Sequence, residues 1–168
     1  MKYANAFKSS LCTAALACLA LVAASKPADA SSTATTTFQV TATIQATCIV
    51  SATPMAFGTY TGALVNSTST VTVTCTNTTP YNVGLDKGTN GGSVTTRQMK
   101  GTLGALLNYS LYYDSARTHN WGITIGTDTV AGTGNGAGQG ITVYGQLPAG
   151  QYLAPDNYTD TITATVTY

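Results

Sequence analysis

Between residues 37 and 48 (TFQVTATIQATC) every second position is apolar. Phe38, Val40, Ala42 and Ile44 alternate with Gln39, Thr41 and Thr43. Side chains alternate faces along an extended chain, so this stretch presents one apolar face and one polar face. Thr, Val, Ile and Phe all favour that conformation. The stretch precedes the first cysteine of the processed chain, so as a strand it has no earlier hairpin partner. It must pair with a distant part of its own chain or with another molecule. Residues 159–168 (TDTITATVTY) mirror it, with Ile162, Ala164, Val166 and Tyr168 set against threonines and no tail after them to cover the strand. Unpaired strand edges are normally short, charged or covered, and this one is long and uncharged beyond Asp160. A spare strand at one end and an open edge at the other predict that chains join to one another.

Residues 1–30 read as a secretory signal peptide. Lys2 and Lys8 give a positive start, residues 11–24 an apolar middle, and Ala28-Asp29-Ala30 a small-x-small cleavage site. The apolar run is short and Ala-rich for a membrane span, so no membrane anchor is expected. Cys18 raises a lipoprotein reading, which Ala15 and the continuing apolar run disfavour. Cleavage leaves residues 31–168, enough for one domain. These hold four Lys and Arg against five Asp and no Glu, a formal charge of −1. That balance argues against nucleic-acid or polybasic membrane binding. Abundant Thr and Gly with few helix formers point to an all-β fold. Cys12 and Cys18 leave with the signal. Cys48 and Cys75 remain as an even pair in an exported chain, so a disulfide is the expected state and two buried thiols the alternative. Closing that loop is worth about 3.5 kcal/mol at most by chain-entropy reasoning.

After a polar stretch at 31–37 and the alternating strand, Cys48-Ile49-Val50 opens the body. Met55 and Phe57 are expected to tuck inward. Residues 68–76 read as a strand with Val71, Val73 and Cys75 on one face, and residues 81–85 as a short strand with Val83 and Leu85 together. Residues 77–80 and 86–93 are turn and loop. Residues 97–100 suggest a brief edge strand and residues 106–113 a central one. Residues 121–125 are expected to resume the sheet, residues 132–140 to be the least structured, and residues 141–147 to form another strand. Many short strands separated by turns fit a sandwich or barrel.

Catalytic, cofactor and metal chemistry find little support. His119 lies in a turn with Asp114 and Arg117, without an assembled nucleophile and orienting carboxylate. No cluster has zinc or calcium spacing. The glycines of 132–140 match neither a dinucleotide fingerprint nor a P-loop. Tyr112, Tyr113, Trp121 and Tyr144 are better read as packing residues than as a sugar site. The expectation is a non-enzyme without cofactor or metal.

The leader ending at Ile44, the Cys48 and Cys75 pair with Phe57-Gly58 between, the run from Tyr109 through Tyr112-Tyr113-Asp114 and Arg117 into Trp121-Gly122, and the ending Tyr144-Gly145 to Gly150, then Tyr158, Asp160 and Tyr168, occur in a specific order. In this combination the chain resembles the spore coat U domain family, which includes the pilins of archaic chaperone–usher pili. The resemblance implies an incomplete immunoglobulin-like β-sandwich lacking its final strand (residues 47–168), preceded by an N-terminal donor strand (residues 31–46). It implies that Phe38, Val40, Ala42 and Ile44 plug a neighbour's groove. Ile162, Ala164, Val166 and Tyr168 would belong to the strand beside the acceptor groove, which also faces the chaperone, and the carboxylate of Tyr168 would meet basic chaperone residues. The implied partners are identical or related pilin subunits, a periplasmic chaperone and an outer-membrane usher. The implied location is a cell-surface fimbrium reached through the periplasm, serving adhesion and biofilm formation. Two other roles share these features: a secreted spore or cell coat protein using the same export route, and a minor or tip adhesin binding a surface or glycan.

Overall fold

The structure, a computed structural model, describes residues 31–168; the expected signal peptide lies outside the described residues. The chain separates into two units, the first ending at Thr41 and the second being Ala42–Tyr168. The described part of the first unit has no regular secondary structure and is exposed.

The second unit holds eight strands: β1 Cys48–Ala52, β2 Val65–Cys75, β3 Pro80–Leu85, β4 Arg97–Lys100, β5 Leu106–Tyr112, β6 Val130–Thr133, β7 Gln139–Leu147 and β8 Ala164–Thr167. They form two antiparallel sheets, β1-β2-β7-β5-β4 and β6-β3-β8. Alternation decides which side chains face inward. Val71, Val73 and Cys75 of β2, Tyr81, Val83 and Leu85 of β3, Leu107, Tyr109 and Leu111 of β5, and Val143 and Leu147 of β7 form the core. The intervening threonines of β2 take the other face. Met55 and Phe57 fold in against this core. They lie over Gly145, where a Cβ would collide with the Met55 side chain and sit 2.9 Å from the Phe57 ring.

The two ends of the sandwich differ. One holds Cys48 opposite Cys75, the turn at 76–79, and Gly136, whose N–H donates to Cys75 O (3.1 Å). The other holds Ala52 opposite Val71, and Gly150, whose N–H donates to Gly62 O (2.9 Å). β1 runs away from the disulfide end. β8 runs toward it, since Thr167 pairs with Asn82 near the start of β3 and Ala164 with Leu85 at its finish.

Three segments depart from the sequence expectation. Residues 121–125 form no strand. The Trp121 ring is fully buried, and its Nε1 donates to Val83 O (2.8 Å), which ties the two sheets together. Asp128 then gathers the chain into a turn, accepting from Thr124 N at its carboxylate (2.6 Å) and from Gly122 N at its carbonyl (2.8 Å). The missing sheet edge is supplied instead by β6, part of which was expected to be loop. Finally, β8 covers only 164–167, although the alternation runs from 159. Thr159 makes a two-way bridge with Lys100, beside β4 (2.9 and 3.1 Å), whereas β8 pairs with β3. The intervening residues therefore step from the edge of one sheet to the edge of the other. They cannot ladder with both.

Candidate strand-acceptor cleft

Among the described residues, β8 pairs only with β3, so its other edge is unpaired. β1 likewise pairs only with β2. The two strands approach within 8 Å between Cα atoms without hydrogen-bonding to each other. Beside them the sandwich is open. A cleft of about 450 Å³ runs over the inner face of the five-stranded sheet, with Val71, Val143, Leu111 and Met99 as its floor, one from each of β2, β7, β5 and β4. One wall is formed by Ala52, Thr53, Pro54, Met55 and Phe57, and the other by residues 158–162 and Ala164. The second layer has only three strands, and the cleft lies where a fourth would cover the first sheet. A strand laid along the free edge of β8 would satisfy that edge and fill the cleft.

The 158–164 wall is held by polar contacts rather than by a ladder. The Asp160 carboxylate accepts from Thr89 N (2.9 Å), Thr89 Oγ1 (2.7 Å), Asn90 Nδ2 (3.1 Å) and Tyr109 Oη (2.7 Å). Burial raises the Tyr109 pKa well above the ordinary phenol value, and its hydrogen bond to Asp160 adds to the shift; the hydroxyl stays protonated and donating. Asp86 extends the wall toward β8. Its carboxylate accepts from Thr163 N (2.9 Å) and Gly88 N (3.0 Å), and its own N–H donates to Thr163 O (3.1 Å). Burial works to raise the Asp86 pKa, but the backbone hydrogen bonds from Thr163 and Gly88 outweigh it and hold the carboxyl below its usual range.

Behind this wall lies Arg97, which is fully buried. Its guanidinium donates to the carbonyls of Asp86 (2.8 Å), Val94 (2.8 Å), Leu85 (2.9 Å) and Trp121 (2.6 Å). Burial pulls its pKa down from the usual value, with Tyr109 and Asp86 acting in the opposite direction. A buried charge persists only when its donors are satisfied, and here four backbone carbonyls do so. No sequence motif marks this role. The only signal was a cation in a strand that also carries Met99.

The residues singled out from sequence fall in three places. Cys48 and Cys75 are directly opposed in the β1–β2 register and disulfide-bonded, with an S–S distance of 1.99 Å and Cα atoms 4.1 Å apart. Ile162 and Ala164 line the cleft, Val166 packs against the core, and Tyr168 is 57 % exposed beyond the last ladder pair. Phe38, Val40 and Ile44 are 85, 80 and 89 % exposed, and no strand forms between residues 31 and 47. Exposure of three large apolar side chains at alternating positions is what a strand-forming segment without its partner presents.

His119 is exposed in the 114–119 turn. Its Nδ1 lies 3.6 Å from Asp114 Oδ1, and its ring stacks on Tyr113 with centroids 5.4 Å apart. Asp114 accepts from the backbone of Thr118 and His119, which organises the turn. Trp121 is core, and Tyr144 lies under the Arg117 guanidinium at 5.6 Å. These contacts give the group structural work and assemble no nucleophile. Among the described residues no cluster of three His, Cys, Asp or Glu could hold a metal, and no helix is long and apolar enough to cross a membrane.

The Spore Coat Protein U domain matches residues 34–165, leader included. The chain belongs to the spore coat U domain family. Protein U of Myxococcus xanthus is 32 % identical over 126 residues, covering 67 % of this chain and 70 % of its own length. A solved structure shares the sandwich: a chain in the crystal structure of the CsuC–CsuE chaperone–tip adhesion subunit pre-assembly complex from archaic chaperone–usher Csu pili of Acinetobacter baumannii. It superposes with a TM-score of 0.54 at 22 % identity, covering 75 % of this chain and 40 % of that chain. The present chain thus spans about two fifths of that solved chain, and the likeness is one of fold. With β8 left open at one edge, the fold is the immunoglobulin-like sandwich, short of its last strand, that the family resemblance implies.

Proposed function

We propose that this protein is a structural subunit of a secreted surface fibre, assembled by strand donation between copies. In this reading Phe38, Val40, Ala42 and Ile44 of one subunit enter the cleft of the next, and residues 31–46 act as the donor segment. The observation that carries it is the match between an exposed segment of alternating apolar residues and an unfilled fourth-strand position in the same chain. Burying Phe38, Val40 and Ile44 stabilises the joint by roughly 1.5–3 kcal/mol each. Each ladder hydrogen bond adds about 0.5–1.5 kcal/mol net. Release then requires reopening a completed core, which makes the joint kinetically persistent.

Polarity follows from the two ends of the sandwich. Thr47 continues the line of β1, so a subunit's own leader leaves at the disulfide end. A donated leader whose N-terminus points toward that end places the donor's body at the opposite end, and bodies then follow one another head to tail. Such a leader runs antiparallel to β8. The reverse polarity would bring the donor's body to the end where the acceptor's leader already departs. A head-to-tail joint of this kind generates open polymers.

The known partners of the solved relative suggest the rest of the path. A periplasmic chaperone covers the cleft before assembly, an outer-membrane usher exchanges it for the next leader, and the product is a fimbrium outside the cell serving attachment and biofilm formation. The 32 % identity to Protein U supports a second reading, a coat protein assembled by the same joint. Electron microscopy of producing cells separates extended fibres from a coat. The test of donation itself is deletion of residues 31–44. The truncated chain is expected to fold with a chaperone and fail to polymerise, and to be filled by an added peptide of residues 31–44. Polymers formed by the truncated chain alone would overturn the reading.

A further inference from the structure

We propose that Thr47 and Thr76 are positioning residues that prevent the leader from filling the cleft of its own chain, and so direct it to another copy. The inference rests on the donation reading. It concerns which chain receives the strand, not whether one is received.

The leader is joined to β1 by only Gln45, Ala46 and Thr47. Ala52 at the end of β1 lines one wall of its own cleft and Ala164 of β8 the other, so self-filling requires the chain to reverse within that connector and run back beside β1. Side-chain parity restricts how. On β1, Cys48 and Val50 pack toward the core, whereas Ile49 is 68 % exposed. Residues directly opposed across an antiparallel pair project to the same side. For Ile44, Ala42 and Val40 to face inward they must therefore oppose Cys48, Val50 and Ala52. That register leaves a three-residue loop, 45–47. A two-residue loop would oppose Ile44 to Thr47 and turn the whole apolar set toward solvent, because a one-residue slip exchanges the faces. A five-residue loop would consume Cys48 and Ile49 and dismantle β1.

The three-residue loop is the one the connector resists. Such loops commonly use a type I turn followed by a residue in the left-handed region. That residue would be Thr47, and a β-branched side chain is a poor occupant of positive φ. Neither Gln45 nor Ala46 supplies turn chemistry. In the structure Thr47 is not among the residues with positive φ. It is bound on both sides to Thr76: its N–H donates to Thr76 Oγ1 (3.2 Å), and its carbonyl accepts from Thr76 N (3.0 Å). Thr76 Oγ1 is in turn 2.6 Å from Thr79 Oγ1. The β1–β2 pairing is thereby extended one residue beyond the disulfide, which holds Thr47 in line with β1.

A self-filled leader would also run parallel to β8, opposite to a donated one. The test uses the mature chain carrying Val40→Cys and Ala52→Cys, a pair opposed in the self-filled register, with cross-links mapped by mass spectrometry of digested monomer isolated under non-reducing, denaturing conditions, so that links joining two chains are not counted. With the native connector at low protein concentration, intrachain cross-linking between these two positions is expected to be negligible. Thr47→Gly combined with Thr76→Val is expected to raise it at least tenfold and to lower polymer yield in proportion. Thr47→Val, which keeps a β-branched residue there, is expected to behave as the native connector. Insertion of an Asn-Gly pair between Ala46 and Thr47 gives a five-residue loop of the same parity while retaining the Thr47–Thr76 contact, and is expected to raise intrachain cross-linking as well. Substantial intrachain cross-linking with the native connector would overturn the proposal, as would its absence in both the double variant and the insertion while polymers still form. Failure of the 31–44 peptide to bind a leaderless chain would instead point to failure of the donation reading.

Discussion

The leader and residues 158–167 carry nearly the same pattern, apolar residues alternating with threonine, yet they end differently. In the C-terminal stretch, Ile162, Ala164 and Val166 are half-buried against the core, and four residues ladder onto β3. In the leader, Phe38, Val40 and Ile44 stay exposed and no strand forms. Strand formation is therefore not a property of the alternating stretch alone. It needs an edge whose register matches, and β3 offers one to residues 164–167. Even there the ladder stops where the partner stops. Beyond Leu85 the side chains of Asp86 and Asp160, with isolated backbone bonds at Thr159 and Thr163, anchor residues 159–163 without making them strand.

This contrast can be broken at either stretch. The largest expected effect is on assembly. Ile44→Asp should reduce polymer yield by more than tenfold, because a buried unpaired carboxylate costs several kcal/mol. The same change should leave monomer stability within about 0.5 kcal/mol, as for other exposed sites. Ile162→Asp should lower both, and urea unfolding of the two variants beside sedimentation of polymer distinguishes them.

Next comes the support behind the cleft. Arg97→Met should destabilise the monomer by roughly 3–5 kcal/mol, since four carbonyls lose their donor at once. The urea midpoint measures this, and a loss below about 1 kcal/mol would show that the guanidinium is dispensable. Cys48→Ser should cost about 2–4 kcal/mol and lower yield in an oxidising compartment, by loosening β1 from β2. The smallest effect is on pH dependence. The Asp86 carboxyl is held below its unfolded value, so its contribution is present above the unfolded pKa and is lost as pH falls through the folded one. Asp86→Asn should flatten stability between about pH 4 and the folded pKa and change little at neutral pH, as read from unfolding at stepped pH.

Where local pattern and tertiary partner agreed, the structure could be read in advance. Val71, Val73 and Cys75 alternate and are buried together, and Cys48 meets Cys75 in register. Residues 97–100 form an edge strand, as their length suggests. Residues 121–125 look equally extended but are drawn aside, because the Trp121 ring fits between the sheets and Asp128 offers a better partner for the following backbone. β6 was hidden among glycines because its pairing depends on β3, roughly fifty residues earlier in the chain.

Alone, the sequence determined the faces: alternation fixes which side chains share a side of an extended segment, whatever its partner. It also determined the all-β class, because few residues favour helix. Only the tertiary structure decided which faces are covered. Pairing partners are chosen by register and competition between distant segments. Three strands in the second layer leave a cleft beside β8. The Arg97 guanidinium becomes part of the core because four carbonyls from three separate stretches of the chain converge on it.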